Sequence, residues 1–208
     1  MRLNRRGLLA GLAGVLLLAP TAQASTPEAA AAFIESRGRA LKEVLDSDAP
    51  LAEKRERVAE ILREAVDVRG VAQFVLGRHW RIASEAERAE YLSLFEAILI
   101  RNLSARFGEL RGLRFAVTRA QPRGEEGVLV TTIVEQPGQA PVQLDWLVSF
   151  ASGRPLIVDL VAEGTSLRIT QRSEYSAVIQ RGGGRVGALL DAMRQQLSLL
   201  EQRELAQK

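Results

Sequence analysis

Apolar residues recur every three to four positions through the first half of the chain, a spacing typical of amphipathic helices. This spacing predicts four helices, over residues 27–48, 51–66, 68–76 and 84–107. The fourth is the longest, and Ser84 with Glu87 three positions later fits the capping box that starts many helices.

The spacing changes to an alternation of two from Leu113 onward, which is typical of β-strands. The first predicted strand ends before a turn at Gln121, and three more follow over residues 127–136, 142–150 and 156–162. Short turns between consecutive strands favour an antiparallel meander. Helical spacing returns over residues 172–181 and 185–203. The pattern therefore predicts an α+β fold, with N-terminal helices, a four-stranded antiparallel sheet and C-terminal helices packed over one face.

The first 24 residues have the pattern of a signal peptide. Arg2, Arg5 and Arg6 give a positive start, residues 8–19 are apolar and uncharged, and residues 22–24 (AQA) form a small-residue cleavage site. The apolar run is shorter than the roughly 20 residues that a membrane span needs. Residues 25–208 are expected to form one exported domain, and the paired arginines leave open a twin-arginine route.

The charge balance argues against a nucleic-acid partner. The chain has 28 Lys and Arg against 25 Asp and Glu, and the three arginines of the predicted signal peptide account for the whole excess. A nucleic-acid-binding protein needs a surplus of cations on one face. The exported domain is neutral, so no nucleic acid is expected as a partner.

Residue types that carry catalysis or bind metal ions are scarce. The chain has no cysteine and a single histidine, His79, which excludes a cysteine nucleophile and zinc sites built from Cys and His. The acids Asp145, Asp159 and Glu163 lie on or beside the predicted strands and leave open a carboxylate pair that hydrolyses glycosides. No metal ion or cofactor is expected.

Apolar residues make up 47% of the chain. Tyr91, Phe95 and Phe107 share one stripe of the longest helix, and Trp146 and Phe150 share one face of the third strand. Periodicity alone does not distinguish a filled core from a hollow one. The residue pattern therefore indicates an exported α+β domain that is better suited to binding than to catalysis.

Two parts of the chain resemble the MlaC family, also called the toluene-tolerance family. Residues 74–81 (FVLGRHWR) and 84–95 (SEAERAEYLSLF) are similar to its stretch LG-x-x-W-R followed by T/S-x-E-Q-R-x-x-F-x-x-x-F. His79 stands where the family often has tyrosine.

The second part is similar to the family stretch I-x-D-V-x-V-E-G-V-S-L followed by R-S-E-F. It consists of residues 158–167 (VDLVAEGTSL) and 171–175 (QRSEY), and residues 144–146 (LDW) resemble the V-D-W/Y of the preceding strand. Thr165 replaces a family valine. The similarity in order and spacing extends over roughly residues 30–200.

The resemblance implies a periplasmic phospholipid carrier that is not an enzyme. Such carriers move lipid between an outer-membrane lipoprotein–porin complex and an inner-membrane ABC transporter with its lipid-binding subunit, and so maintain the lipid asymmetry of the outer membrane. Family relatives that accompany hopanoid synthesis leave open another apolar lipid as the cargo. The implied fold holds the acyl chains in an apolar cavity between a twisted antiparallel sheet and its helices.

By analogy with the family, the inward residues of the matched stretches would contact the lipid. The candidates are Val71, Phe74, Val75, Trp80, Tyr91, Phe95, Ile98, Leu99, Leu144, Trp146, Val148, Val158 and Leu160.

Overall fold

A computed structural model describes residues 26–136 and 138–206. Its helices are α1 (Pro27–Asp46), α2 (Leu51–Ala65), α3 (Val68–Leu76), α4 (His79–Ile82), α5 (Glu85–Ser104), α6 (Phe107–Leu110), α7 (Leu167–Arg181) and α8 (Val186–Ala206). The predicted signal peptide lies outside the described residues. Within them, no helix combines the length and the apolar character that crossing a membrane requires.

The sheet is antiparallel, and its strands follow one another in chain order. The strands are β1 (Arg114–Pro122), β2 (Val128–Glu135), β3 (Val142–Ser149), β4 (Leu156–Ala162) and β5 (Thr165–Ser166). The described chain thus has five strands where the sequence predicted four, because β5 is only two residues long and too short to alternate visibly. β1 also passes the turn expected at Gln121, since it pairs with β2 as far as Pro122 opposite Val128.

Two helix starts show how capping sets the boundaries. Ser84 caps α5 as predicted: its hydroxyl accepts from the Glu87 N–H at 3.2 Å, and the Glu87 carboxylate accepts from the Ser84 N–H at 2.8 Å. α7 begins at Leu167 rather than at residue 172, because the Ser166 hydroxyl accepts from the Ile169 N–H at 3.2 Å. The short helices α4 and α6 were not predicted; each has four residues, too few to show a period.

Helix α1 packs on one face of the sheet. Its Ala30 and Ile34 form a buried cluster with Val128, Val130 and Val148 of β2 and β3. Since side chains alternate across a strand, the neighbours of these valines point to the opposite face.

A second apolar cluster joins α3, α5, α7 and α8. Its fully buried members include Tyr91, Ile179, Leu189 and Met193. A third cluster lies where α1 and α2 meet the end of α5 and α6, around Leu45, Val58 and Phe107. Among the described residues the helical cluster includes no strand residue, although its helices α3 and α7 lie next to β4.

Candidate functional site

A groove of about 350 Å³ lies between α3 and the sheet face opposite α1. Val71 and Phe74 of α3 form one apolar wall, and Leu147 of β3 and Val158 of β4 form the other. Leu147 points here because its neighbour Val148 points to α1. The volume falls within the range of small-molecule sites, which is about 300–1,000 Å³.

The rim of this groove carries more negative than positive side chains. Asp67, Glu125, Glu126 and Arg168 line it. Arg168 is anchored from behind, with its Nε 3.3 Å from Oδ2 of Asp159, a carboxylate that is 8% exposed. The groove thus joins an apolar interior to a charged edge.

A second groove of about 480 Å³ lies beside the first, along a neighbouring face of α3 and the start of α4. Both grooves are lined by Gly70 and Phe74. The second also has the aromatic Trp80 and three cationic side chains, Arg78, Arg81 and Arg172, and none of the described carboxylates lines it. The two neighbouring grooves therefore have opposite charge character.

Phe74 marks the boundary between the grooves. The Arg168 guanidinium lies 4.5 Å from the centroid of its ring, and the Arg172 guanidinium lies 5.1 Å from it. A cation at such a distance from an aromatic face is stabilised by about 0.5–2 kcal/mol. The Phe74 ring therefore contacts both Arg168, which lines the first groove, and Arg172, which lines the second.

Four sequence candidates lie at the grooves: Val71, Phe74 and Val158 line the first groove, and Trp80 and Phe74 line the second. The structure brings these residues together from α3, α4 and β4.

The other nine candidates lie elsewhere. Val75, Tyr91, Phe95 and Ile98 belong to the buried helical cluster, and Trp146 and Val148 belong to the cluster under α1. The remaining three are half-buried and line neither groove; these are Leu99, Leu144 and Leu160. Contact of these nine residues with a lipid stays a prediction.

Two of the three acids considered for hydrolysis, Asp145 and Asp159, have structural partners. Asp145 accepts hydrogen bonds from the Thr131 hydroxyl at 2.6 Å and the Gln143 amide at 3.0 Å. Asp159 accepts from the Ser166 hydroxyl at 2.6 Å and from two backbone N–H groups. Glu163 lies exposed in a turn, with φ at 51°. Within residues 26–136 and 138–206, no three acids or histidines gather as a metal site would require.

Sequence reasoning missed Leu147, Arg168 and Arg172. Leu147 was the one apolar side chain on the polar face of its strand, which was a usable signal. Arg172 lies inside the QRSEY stretch that carries the family resemblance. Arg168 had no signal, because its position depends on a helix start that was predicted five residues too late.

Comparison with known proteins identifies a sequence family and a solved structure that are similar to this chain. Residues 36–195 match the sequence model of a family described as MlaC protein. The fold is similar to the crystal structure of a phospholipid-binding protein from Ralstonia solanacearum in complex with a phospholipid, with a TM-score of 0.74 and 20% identity. That match covers 83% of this chain and 98% of the Ralstonia chain. The overall architecture is therefore the same in the two proteins.

Proposed function

The chain belongs to the MlaC protein family, and from that membership and the two grooves we propose that it binds and carries phospholipid. The observation that carries the proposal is the apolar groove between α3 and the sheet, which the protein's own side chains leave open. The Ralstonia protein of the same fold was crystallised with a phospholipid, which supports the same class of ligand here.

The size of the hydrophobic penalty explains why such a carrier is needed. A diacyl lipid has on the order of 30 methylene groups, and each costs roughly 0.8 kcal/mol to expose to water. The total is about 20–25 kcal/mol, so an unaided lipid does not cross an aqueous space at a useful rate. A carrier needs an apolar site and no reactive group, so the proposed activity is binding and transport, not catalysis.

The acyl chains would lie against Val71, Phe74, Leu147 and Val158. Ile98 is packed inside the buried helical cluster, so it would contact a lipid only if that cluster opened.

We infer the place of action and the partners from the family membership. We propose that the protein works in the periplasm, after removal of residues 1–24. Its partners would be an outer-membrane lipoprotein–porin complex and an inner-membrane ABC transporter with its lipid-binding subunit, and the shuttling would maintain outer-membrane lipid asymmetry. The neutral charge of residues 25–208 supports a shuttle, since a strongly basic carrier would adhere to anionic membranes.

Mass spectrometry of lipid extracted from the natively purified protein tests the proposal. Bound phospholipid is the expected result, a polycyclic lipid would indicate the hopanoid alternative, and an empty protein that hydrolyses carbohydrate would indicate an enzyme.

A matched pair of variants locates the ligand. Val158→Asp places a charge in the groove wall and should abolish lipid co-purification. Val142→Asp makes the same change at an exposed position of β3 outside both grooves, and it should leave the lipid content unchanged. Equal lipid content in two folded variants, checked by circular dichroism, would exclude this groove as the site.

A further inference from the structure

The second groove is a concave, cationic surface next to an apolar one. Arg78, Arg81 and Arg172 line it, whereas the first groove has three carboxylates and one arginine on its rim. In the described part of the chain, none of these three guanidinium groups forms an ion pair. All three are exposed, so their charges are accessible to an anion that enters the groove and would attract it.

Arg172 is held in place by two features of α3. Its guanidinium lies over the Phe74 ring, and it also lies against Gly77, where a Cβ atom would be 3.0 Å from Nε and 3.1 Å from Cζ. Gly77 has φ at 57°, a conformation that glycine adopts without strain. A glycine at this position thus leaves the space that the guanidinium fills.

The carbonyl end of α3 favours a cation at this place. Gly77 follows the last residue of α3, where the unpaired carbonyl groups give the helix end a partial negative charge. This charge stabilises the Arg172 guanidinium beside Gly77. Its fork of N–H donors is then available to a planar or tetrahedral anion in the groove.

The two grooves meet at a place that suits the junction between the apolar and the polar part of an amphipathic ligand. Phe74 and Gly70 line both, so an anion bound by Arg172 would lie next to the apolar wall that begins at Val71. A glycerophospholipid has the same arrangement, with a phosphate diester a few bonds away from its acyl chains.

We propose that Arg172, with Arg78 and Arg81, binds the phosphate diester of the phospholipid, and that these arginines make the carrier select phosphate-bearing lipids over neutral diacylglycerol. This inference rests on the proposed function, because it assumes that the acyl chains occupy the first groove. It goes beyond that function by assigning the second groove to the polar part of the ligand.

The test compares two lipids with identical acyl chains. A fluorescent phosphatidylglycerol and the corresponding fluorescent diacylglycerol are titrated into the delipidated protein containing residues 25–208. Arg172→Gln should weaken phosphatidylglycerol binding about tenfold, the effect of one lost charge-assisted hydrogen bond. Diacylglycerol binding should not change. Arg57→Gln, an exposed arginine of α2 outside both grooves, is the control and should alter neither.

Two further variants separate the effect of the arginine charges on lipid binding from an effect on folding. Arg172→Lys keeps the charge without the fork and should recover part of the affinity. Arg78→Gln combined with Arg81→Gln leaves the contact with Phe74 intact and should still weaken phosphatidylglycerol binding. The proposal is overturned if both lipids weaken equally, or if neither lipid is affected.

Other outcomes have distinct meanings. Tight binding of inorganic phosphate to the lipid-free protein, with no preference for phosphatidylglycerol, would make the groove a free-phosphate site and overturn the proposal. Unchanged lipid affinity with lost transfer to acceptor vesicles would make it a docking surface instead, and overturn it too. If the wild-type protein binds neither lipid, the proposed function itself fails.

Discussion

The hydroxyl of Tyr91 donates a 2.9 Å hydrogen bond to the backbone carbonyl of Ala72, and both residues are fully buried. The bond joins the middle of α5 to the middle of α3. Ala72 lies between Val71 and Phe74 in sequence, so this contact fixes the rotation of α3 about its axis. It turns Ala72 and Val75 into the helical cluster and leaves Val71 and Phe74 facing the grooves.

Removing that hydroxyl should lower stability without moving the ring. We expect Tyr91→Phe to reduce the free energy of unfolding by about 1 kcal/mol, the usual net value of one hydrogen bond. For a domain of this size that corresponds to a fall of about 2–4 °C in the melting temperature. Urea and thermal denaturation measure it, and a variant as stable as the wild type would mean that the bond contributes nothing.

The two tyrosines should resist ionisation in the folded state. Tyr91 and Tyr175 are the only tyrosines in the chain, and their rings meet edge to face at 6.2 Å. Burial, with the nearby Glu174 charge, raises the pKa of Tyr175 to about 12, and burial raises the pKa of Tyr91 further. Since both pKa values exceed the ordinary value near 10, stability should be intact below about pH 10 and fall as the pH rises toward 12.

Ultraviolet absorbance of tyrosinate, recorded together with circular dichroism, measures this behaviour. Tyrosinate should form only as the protein unfolds, whereas the urea-unfolded control should titrate near pH 10. Tyrosinate that forms near pH 10 in a still-folded protein would contradict the burial of both rings.

The helices and strands could be predicted largely because each signal is local. The capping pair at Ser84 and Glu87 identified the start of α5, and alternation identified β2 to β4 within a residue or two. The elements that failed depend on contacts distant in sequence. β5 exists because Thr165 and Ser166 pair with β4, and α7 starts early because Ser166 is then placed to cap it.

The site was less predictable because a groove is a space between elements. Apolar spacing marks Ile98 and Val158 alike as inward, yet Ile98 is packed in the helical cluster and Val158 lines the first groove. The family resemblance indicated stretches of candidate residues but did not separate packed from open positions. The arginines were missed because apolar periodicity carries no information about cations.

His79 should make the protein sensitive to mild acid. It is the only histidine and is 5% exposed, and within residues 26–136 and 138–206 neither ring nitrogen has a hydrogen-bond partner. Burial, with a smaller effect of the Arg78 charge, lowers its pKa below the ordinary value near 6.5. The unfolded chain therefore takes up the proton first, so stability should be intact above about pH 6.5 and fall as the pH drops further.

Two measurements check the histidine prediction. The two imidazole C–H signals of this one histidine should shift at a pH below about 6.5 when the folded protein is titrated by proton NMR. His79→Leu, which has no titratable group, should lose less stability than the wild type between about pH 8 and about pH 5. A pKa of His79 in the folded protein at or above about 6.5 would contradict the prediction.

Asp159 should act as a structural acid. Its Oδ2 accepts from the Ser166 hydroxyl at 2.6 Å and lies 3.3 Å from the Arg168 Nε, while its Oδ1 accepts from the backbone N–H groups of Leu160 and Arg168. The same carboxylate thus connects β4, β5 and the first turn of α7. This arrangement occupies both oxygens and leaves neither free to transfer a proton to a substrate.

Replacing Asp159 should therefore lower the stability of the fold, and it should not abolish a catalytic activity. Asp159→Asn keeps the size but has only one acceptor oxygen, so we expect a loss of roughly 2 kcal/mol in the free energy of unfolding, typical of hydrogen bonds to a charged group. Glu163→Gln alters an exposed acid four residues away and should change stability by less than about 0.5 kcal/mol. Urea denaturation of the three proteins measures both. An Asp159→Asn variant as stable as the wild type, with a measurable carbohydrate-hydrolysing activity abolished, would favour a hydrolase instead.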